Sequence, residues 1–461
     1  MNHVSKLSAI LLVAMSLNTH TYAAMNTATD AKSSTKYAGQ QSNLTLADHK
    51  KLLEEGYPID RVRRAHDLFS FRHFSVDALD YKKTAVDDAL YYFNHMWEFL
   101  PSAVVPKASN SFELVRDLDS DLNNLTYSDI DGKPFPTLQE FIDAPDSMLQ
   151  GIMMIHKGKV IFEQYPGMRP QDQHLWMSVT KALSGTLILD MIVNGKIDPE
   201  APITDYVPRL KDSAWDGVPV RAVLTMTAGL NLDDISGNMY KSGTIEQRYY
   251  KASFGDYYNG KKEDWIEVIR EGEKIAEPYT KFQYASLNTQ VLSVAIENVT
   301  GKKFVDYLYE RLFQHAGTGE MVANLFPDGS IHAATAMNST LEDMGRFGLL
   351  YTPSFEKLSG KQVISPKIVD YMFDIKVPAK ILNENIIGQT AHLYLGNQSV
   401  VGSGSQFDFL WSDGAFAKLG HNNQGIYIDP KRDFVGVYFS ASTKTNYPIG
   451  YIRAAAVSMD K

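Results

Sequence analysis

The feature that most constrains the fold is a long apolar segment that begins near residue 178. Leu183 to Val193 reads Leu-Ser-Gly-Thr-Leu-Ile-Leu-Asp-Met-Ile-Val, with apolar residues on nearly every side of a helix. A helix with this pattern must be buried all round. The pair Asn194-Gly195 then suits the left-handed conformation that ends helices. The sequence therefore predicts a buried helix around which the other elements are arranged.

Ser178 and Lys181 lie at the start of this helix, three residues apart. That spacing places the hydroxyl and the amine on one helix face. A buried amine loses hydration when it is charged, so its pKa falls, and a neutral amine beside a serine is a base beside a nucleophile. The N–H groups of the helix N-terminus favour an oxyanion. The alternative is that Ser178 simply caps the helix.

Ser-x-x-Lys alone is weak evidence, because about two chance copies are expected in a chain of this length. The chain contains four copies, which start at Ser33, Ser178, Ser354 and Ser458. Ser178 is the one that opens a predicted buried helix, so its copy is the candidate for chemistry.

Composition argues against several classes of function. The formal net charge is −9 and there is no basic block, so we expect no nucleic-acid partner. The histidines are scattered without ligand spacing, and the sequence lacks His-Glu-x-x-His, a phosphate-binding Gly-Lys loop and a Gly-x-Ser-x-Gly elbow. We therefore expect no metal and no cofactor.

Residues 1–24 have the pattern of a secretory signal peptide. Lys6 is followed by the apolar run Leu7 to Leu17 and by the small-residue site Thr21-Tyr22-Ala23-Ala24. After this run no apolar stretch is long enough to span a membrane, and the absence of cysteine fits export. The sequence predicts an exported, periplasmic protein without stable membrane insertion once the signal is removed.

Strand and helix signals predict an α+β fold. Residues 25–147 are expected to form a tether and a helical extension. Two hairpins are indicated, one by apolar runs around Lys157-Gly158 and one by runs around Pro430-Lys431-Arg432, and Ile449 to Met459 is expected to be a final helix. We expect an antiparallel sheet built from both chain ends and flanked by helices, with a mostly helical lobe at about 178–335 inserted.

A tyrosine-rich stretch from Gly229 to about Pro278 interrupts the helical lobe. The stretch carries Asp233, Asp234, Tyr240, Tyr249, Tyr250, Tyr257 and Tyr258. The stretch is either a lid that covers the substrate or a loop region packed on the protein surface.

Several motifs occur in the order found in a known family. Ser178-Val179-Thr180-Lys181, followed by Asn194-Gly195-Lys196-Ile197-Asp198, resembles the nucleophile helix of class C β-lactamase-like serine hydrolases. Leu224 to Leu230 looks like the next signature of this family, and Tyr284-Ala285-Ser286 stands where the family has Tyr-x-Asn. The resemblance covers residues 148–461 and implies a β-lactamase/transpeptidase-like fold for that domain.

Two departures from the family pattern refine the resemblance. Ser286 replaces the asparagine of Tyr-x-Asn, and no Lys-Thr-Gly precedes the penultimate strand, where Gly420 to Gly425 stands instead. Both are more similar to the branch that contains 6-aminohexanoate-dimer hydrolase and related carboxylesterases. Both departures argue against the cationic residue with which the family binds a substrate carboxylate. They therefore also argue against β-lactam hydrolysis as the main activity.

The resemblance also implies residue roles. Ser178 would attack a carbonyl carbon, and Lys181 and Tyr284 would share proton transfer, with the identity of the base left open. The backbone N–H groups of Ser178 and His421 would form an oxyanion hole, the alternative for His421 being a structural histidine. Tyr257-Tyr258-Asn259 formally matches Tyr-x-Asn but lacks the following helix, so Tyr284 is preferred.

Three further residues are candidates for substrate binding, namely Ser286, Asn288 and Trp411. Trp411, with the loop Gly402 to Gln406, would line the acyl pocket, and its alternative is a place in the core. The sequence thus predicts an exported serine hydrolase that cleaves a small-molecule amide or ester through an acyl-serine. The alternatives are a β-lactamase or D-amino peptidase, and a catalytically silent binding or sensor module.

Overall fold

The computed structural model describes residues 51, 54–55, 92–144, 147–442 and 447–460. The predicted signal peptide, the tether and most of the predicted helical extension lie outside the described residues. None of the helices in the described ranges is both long and apolar enough to cross a lipid bilayer.

The strands of the described ranges are arranged in three antiparallel sheets. They are β1 Ser102–Val105, β2 Leu149–His156, β3 Lys159–Gln164, β4 His174–Leu175, β5 Tyr257–Tyr258, β6 Lys261–Lys262, β7 Met321–Asn324, β8 Met337–Ser339, β9 Val377–Pro378, β10 Gly402–Gly404, β11 Phe407–Leu410, β12 Phe416–Gly420, β13 Gln424–Asp429 and β14 Phe434–Ser440. The main sheet has the order β3-β2-β14-β13-β12-β11-β10-β9, a second sheet has the order β1-β7-β8-β4, and β5 pairs with β6.

The α-helices of the same ranges lie mostly between β4 and β10. They are α1 Leu138–Asp143, α2 Lys181–Val193, α3 Ile203–Tyr206, α4 Val220–Leu224, α5 Ile245–Phe254, α6 Trp265–Arg270, α7 Ser286–Thr300, α8 Phe304–Leu308, α9 Gln314–Ala316, α10 Leu341–Leu349, α11 Pro353–Ser359, α12 Pro366–Asp374, α13 Ala379–Leu382, α14 Ile386–Thr390, α15 His392–Leu395 and α16 Tyr447–Ser458.

The main sheet joins the two ends of the domain. Strand β2 pairs with β14 in antiparallel register, with Met153 opposite Val437, and both predicted hairpins are present as β2-β3 and β13-β14. Every residue of β14 is buried, because helices cover this part of the sheet. The predicted α+β architecture, with its sheet built from both chain ends, is confirmed.

Helix α2 is the buried centre of the domain. Its residues from Lys181 to Met191 are all buried, as its all-round apolar pattern predicts. Gly185 allows a close approach here, since a Cβ at this position would lie 2.2 Å from the Ser405 carbonyl oxygen. The backbone of Ser405, in the turn between β10 and β11, can therefore pack directly on the helix.

Residues 92–144 fall within the segment 25–147 that was predicted to form a tether and a helical extension, and this described part includes a strand. Ser102–Val105 forms strand β1, which pairs with β7 across Ser102–Asn324 and Val105–Met321. Valine favours strands because its branched side chain fits a pleated surface, and Val105 is fully buried while Val104 faces outward. Strand β1 is therefore an edge strand of the second sheet.

Candidate active site

Ser178 lies in a short turn between β4 and α2. The turn Met177–Thr180 is a 3-10 helix, and Met177 before the serine has a φ of 48°, a left-handed conformation that is uncommon for a residue other than glycine. The Trp176 indole N–H donates to Ser339 Oγ at 2.8 Å, and the Trp176 amide donates to the Met337 carbonyl. These contacts to β8 fix the turn, and Ser178 is left half-buried at its surface.

Lys181 lies directly beneath this serine. Its ammonium nitrogen Nζ is 2.9 Å from Ser178 Oγ and also donates to the Ala334 carbonyl oxygen at 3.0 Å. The side chain has no solvent exposure. The predicted contact between the hydroxyl and the amine is therefore present in the structure, and Ser178 does not cap the helix through its side chain.

The surroundings of Lys181 favour its neutral form. Its pKa is lowered to about 7, first because burial removes water from the ammonium and second because Lys418 carries a like charge. The carboxylates of Asp234 and Asp408 act in the opposite direction. An amine with this pKa can accept a proton near neutral pH.

Tyr284 lies just before α7 and faces the same point. Its ring centroid is 5.1 Å from Lys181 Nζ and 4.7 Å from Lys418 Nζ, and its hydroxyl accepts a hydrogen bond from Lys418 Nζ at 2.9 Å. Burial, followed by the charge of Asp408, raises the pKa of the Tyr284 phenol well above its usual value, and a hydrogen bond with Ser178 lowers it. The phenol is thus protonated at neutral pH.

Lys418 is a further candidate site residue that the sequence motifs did not identify. It lies on β12, in the pattern Lys418-Leu419-Gly420, and occupies the position expected for a Lys-Thr-Gly motif with leucine in the middle. Lys-Thr-Gly itself is absent from this part of the sequence, and Gly420 to Gly425 was expected to stand in its place. A search for Lys-x-Gly at the end of an apolar strand would have found it.

Asp408 on β11 is the second missed residue. Its Oδ1 accepts from Lys418 Nζ at 2.6 Å, and its Oδ2 accepts from the Leu419 amide at 2.8 Å. Lys418 is fully buried and Asp408 is nearly so. The two side chains form a buried ion pair next to Tyr284. No sequence motif indicated the aspartate.

Gly420 brings the end of β12 next to the nucleophile. A Cβ on this residue would lie 2.9 Å from the Trp176 carbonyl oxygen and 3.1 Å from the Ser178 amide nitrogen, distances that leave no room for a side chain. His421 follows and lies in the wall of the adjoining cavity. The participation of the His421 amide in an oxyanion hole remains a prediction.

A cavity of about 480 Å³ opens over Ser178. Its lining is rich in tyrosine and apolar side chains, and its carboxylates are Asp234 and Asp408. The lining residues are Met177, Ser178, Asp234, Ile235, Gly237, Met239, Tyr240, Tyr250, Tyr284, Ser286, Thr335, Ile387, Tyr394, Asp408, Phe409, Leu419, Gly420 and His421. Its size and mixed lining suit a small organic molecule.

The tyrosine-rich stretch 229–278 contributes one wall of this cavity. Residues from Asp234 to Tyr240 form two 3-10 turns that face the cavity. Helix α5 packs behind them with Tyr249 and Tyr250 buried, and Tyr250 also lines the cavity. The stretch thus combines a packed helix with a cavity wall. Tyr257, from the rival Tyr-x-Asn copy, is 59% exposed on the β5-β6 hairpin and lies outside the cavity lining.

The three predicted substrate-binding residues have different positions. Ser286 lines the cavity, and its amide donates to Asp234 Oδ2 at 2.7 Å. Asn288 is buried on the first turn of α7 and is not part of the lining. Trp411 lies in the core with Phe409 and Tyr427, which corresponds to the alternative interpretation. Its packing partners, rather than a ligand, explain its burial.

Comparison with known proteins agrees with this geometry. Residues 150–457, more than half of the chain, match the family model described as Beta-lactamase. The chain belongs to this family. A 6-aminohexanoate-dimer hydrolase from Paenarthrobacter ureafaciens is 26% identical over 358 residues, which cover 76% of the chain and 84% of that relative. The resemblance predicted from the motifs, including its branch, is confirmed.

One further relative and two solved structures are also similar to the chain, and the two structures show the same fold. A candidate D-alanyl-D-alanine carboxypeptidase from Escherichia coli is 25% identical over 206 residues, or 43% of the chain and 44% of that protein. A candidate 6-aminohexanoate-dimer hydrolase from Bacillus anthracis has the same fold, with a TM-score of 0.64, 22% identity and coverage of 80% of the chain and 92% of that structure. EstCE1, a hydrolase with promiscuous acyltransferase activity, aligns with a TM-score of 0.51 and 14% identity over 69% of the chain and 96% of that structure.

Proposed function

We propose that this member of the β-lactamase-like serine hydrolases is an exported enzyme that cleaves an amide or ester bond through an acyl-serine intermediate. The observation that carries the proposal is the 2.9 Å contact between Ser178 Oγ and Lys181 Nζ at the floor of the cavity. The export part of the proposal is supported by the pattern of residues 1–24, in which a positive start precedes an apolar core and a small-residue site.

In the acylation step, Ser178 Oγ attacks the carbonyl carbon and its proton moves to Lys181 Nζ. Lys181 is the better base of the two candidates, because its pKa is lowered to about 7 whereas burial raises that of Tyr284. The negative charge on the carbonyl oxygen is stabilised by the Ser178 amide and, as proposed from the resemblance, by the His421 amide. Losing one such donor typically costs about 3–4 kcal/mol of barrier.

Tyr284 is the proposed donor to the leaving group. Its protonated hydroxyl accepts from Lys418 at 2.9 Å, so its own proton is free to point towards the leaving nitrogen or oxygen. Lys181 then returns the Ser178 proton through Tyr284, which leaves the acyl-enzyme and a neutral alcohol or amine. In the deacylation step, a water molecule attacks the acyl carbon, and Lys181 and Tyr284 transfer a proton from this water to Ser178 Oγ.

A 6-aminohexanoate-dimer hydrolase-like amidase or a carboxylesterase is the preferred substrate class, supported by the coverage of the Paenarthrobacter relative. The alternative of a catalytically silent module depended on an altered third motif. Lys418 supplies a cation at that position, in contact with Tyr284, and this removes the reason to prefer a silent module.

The test uses the purified mature protein and its Ser178→Ala variant. We expect hydrolysis of p-nitrophenyl butyrate and covalent labelling by a fluorophosphonate probe, both lost in Ser178→Ala. Ser458→Ala is the matched control, since Ser458 also opens a Ser-x-x-Lys copy but its hydroxyl donates to the Ala455 carbonyl in α16. Labelling that survives in Ser178→Ala would refute the proposal. A panel with the linear 6-aminohexanoate dimer, nitrocefin and a D-Ala-D-Ala peptide then separates the substrate classes.

A further inference from the structure

The charged side chains around the cavity are unevenly distributed. Asp234, which precedes Tyr284 in the sequence, and Asp408, which follows it, both line the cavity. Among the described residues, the lining contains no lysine or arginine. Lys181 and Lys418 are close by but have no solvent exposure. A ligand in the cavity therefore contacts the carboxylates of the lining directly, whereas the two lysines lie behind the lining residues.

The Lys418 cation is covered by two neighbours. Asp408 Oδ1 contacts its nitrogen at 2.6 Å, and the Tyr284 hydroxyl contacts it at 2.9 Å. The backbone holds Asp408 in place, because Leu419, the residue after the lysine, donates its amide to Oδ2. The side chain of Lys418 thus has its charge compensated within the protein before any substrate arrives.

The Asp408 charge also reaches the reacting groups. It raises the pKa of Tyr284, as the largest cause after burial, and it acts on Lys181 in the same direction. Since the field of a charge in a low-dielectric site extends over several ångströms, a carboxylate that influences both proton-transfer groups also acts on a substrate that lies between them.

We propose that Asp408 is a specificity-determining residue that excludes substrates with a carboxylate close to the scissile bond, because it covers Lys418 and presents its own negative charge to the cavity. The inference rests on the proposed function and narrows it to acyl compounds that are neutral near the reacting carbonyl. A carboxylate on the acyl chain of a substrate therefore meets a negative charge and no free cation in this wall.

The test compares two esters of equal chain length, p-nitrophenyl pentanoate and mono-p-nitrophenyl glutarate, in which a carboxylate replaces the terminal methyl group. The measured quantity is the ratio of kcat/KM for the glutarate to that for the pentanoate. Both values come from the same preparation, so a partly unfolded variant does not alter the ratio. We expect wild-type protein to prefer the pentanoate and Asp408→Asn to raise the ratio by roughly tenfold or more.

Two variants separate charge from a general loosening of the site. Asp408→Glu keeps the carboxylate and is expected to keep the wild-type ratio, although its kcat is lower. Lys418→Met removes the cation but keeps Asp408, so its ratio is expected to stay at or below the wild-type value.

Three results would overturn the inference. They are equal hydrolysis of the two esters by wild-type protein, an unchanged ratio in Asp408→Asn, and an equal rise of the ratio in Asp408→Asn and Lys418→Met. Each differs from failure of the proposed function, in which the wild-type protein hydrolyses neither ester or Ser178→Ala retains full turnover. That failure would refute the inference as well.

Discussion

Replacing Gly420 with alanine tests the contact between strand β12 and the nucleophile turn. A Cβ at this position would lie 2.9 Å from the Trp176 carbonyl oxygen and 3.1 Å from the Ser178 amide nitrogen. These two neighbours are backbone atoms, and the third close atom, Gln424 Cβ at 3.0 Å, is bonded directly to the backbone. None of the three can rotate away as the end of a flexible side chain would. The new methyl group must therefore push β12 and the turn apart by a few tenths of an ångström.

The expected loss of activity follows from the tolerance of the oxyanion site. Donors stabilise an oxyanion at about 2.7–3.1 Å, and removal of one donor costs about 10²–10³ in kcat. A displacement of the Ser178 amide weakens the donor without removing it, so we expect kcat to fall by roughly 10- to 100-fold. The free energy of unfolding should fall by an amount of the same order, because overpacking costs about 1–3 kcal/mol and the lower backbone entropy of alanine in the unfolded chain offsets only about 0.4–1 kcal/mol of it.

Gly404→Ala is the matched control, on strand β10 of the same sheet. A Cβ there meets its nearest atoms at 3.4, 3.5 and 3.8 Å, which are ordinary contacts, so this variant should retain both kcat and Tm. The assay is steady-state hydrolysis of p-nitrophenyl butyrate together with the melting temperature. Full kcat in Gly420→Ala, or an equal loss in Gly404→Ala, would contradict the assigned role of the β12 contact.

Three other predictions concern the remaining site residues. The pKa of Lys181 is lowered to about 7, so the amine is mostly protonated below pH 7 and cannot act as a base. We therefore expect kcat/KM to fall about tenfold per pH unit below pH 7. A flat profile from pH 5 to 7 would exclude Lys181 as the base. Tyr284→Phe removes both the proposed proton donor and the hydroxyl that accepts from Lys418, so kcat should drop by about 10²–10⁴-fold. The rate of fluorophosphonate labelling should fall much less than kcat. Trp411→Phe should lower stability by about 1–3 kcal/mol in denaturant unfolding and leave KM unchanged, since Trp411 packs in the core; a raised KM would restore its predicted role in substrate binding.

Local sequence was sufficient for the parts of the site that depend on one element. A spacing of three residues brings Ser178 and Lys181 together through helix geometry alone, and the all-round apolar pattern of α2 predicts the burial that lowers the lysine pKa. The hairpins β2-β3 and β13-β14 were predicted because each joins neighbouring apolar runs through a tight turn. The family motifs extended this to Tyr284, which precedes a helix of its own.

Tertiary structure alone decided the parts that depend on distant segments. The hydrogen bond between Lys418 and Tyr284 joins residues 134 positions apart, and Asp408 reaches Lys418 only because β11 and β12 pair in one register. The strand β1 exists because a partner strand, β7, lies beside it. Charge compensation and strand pairing act through space, whereas a linear pattern reports only the neighbours along the chain.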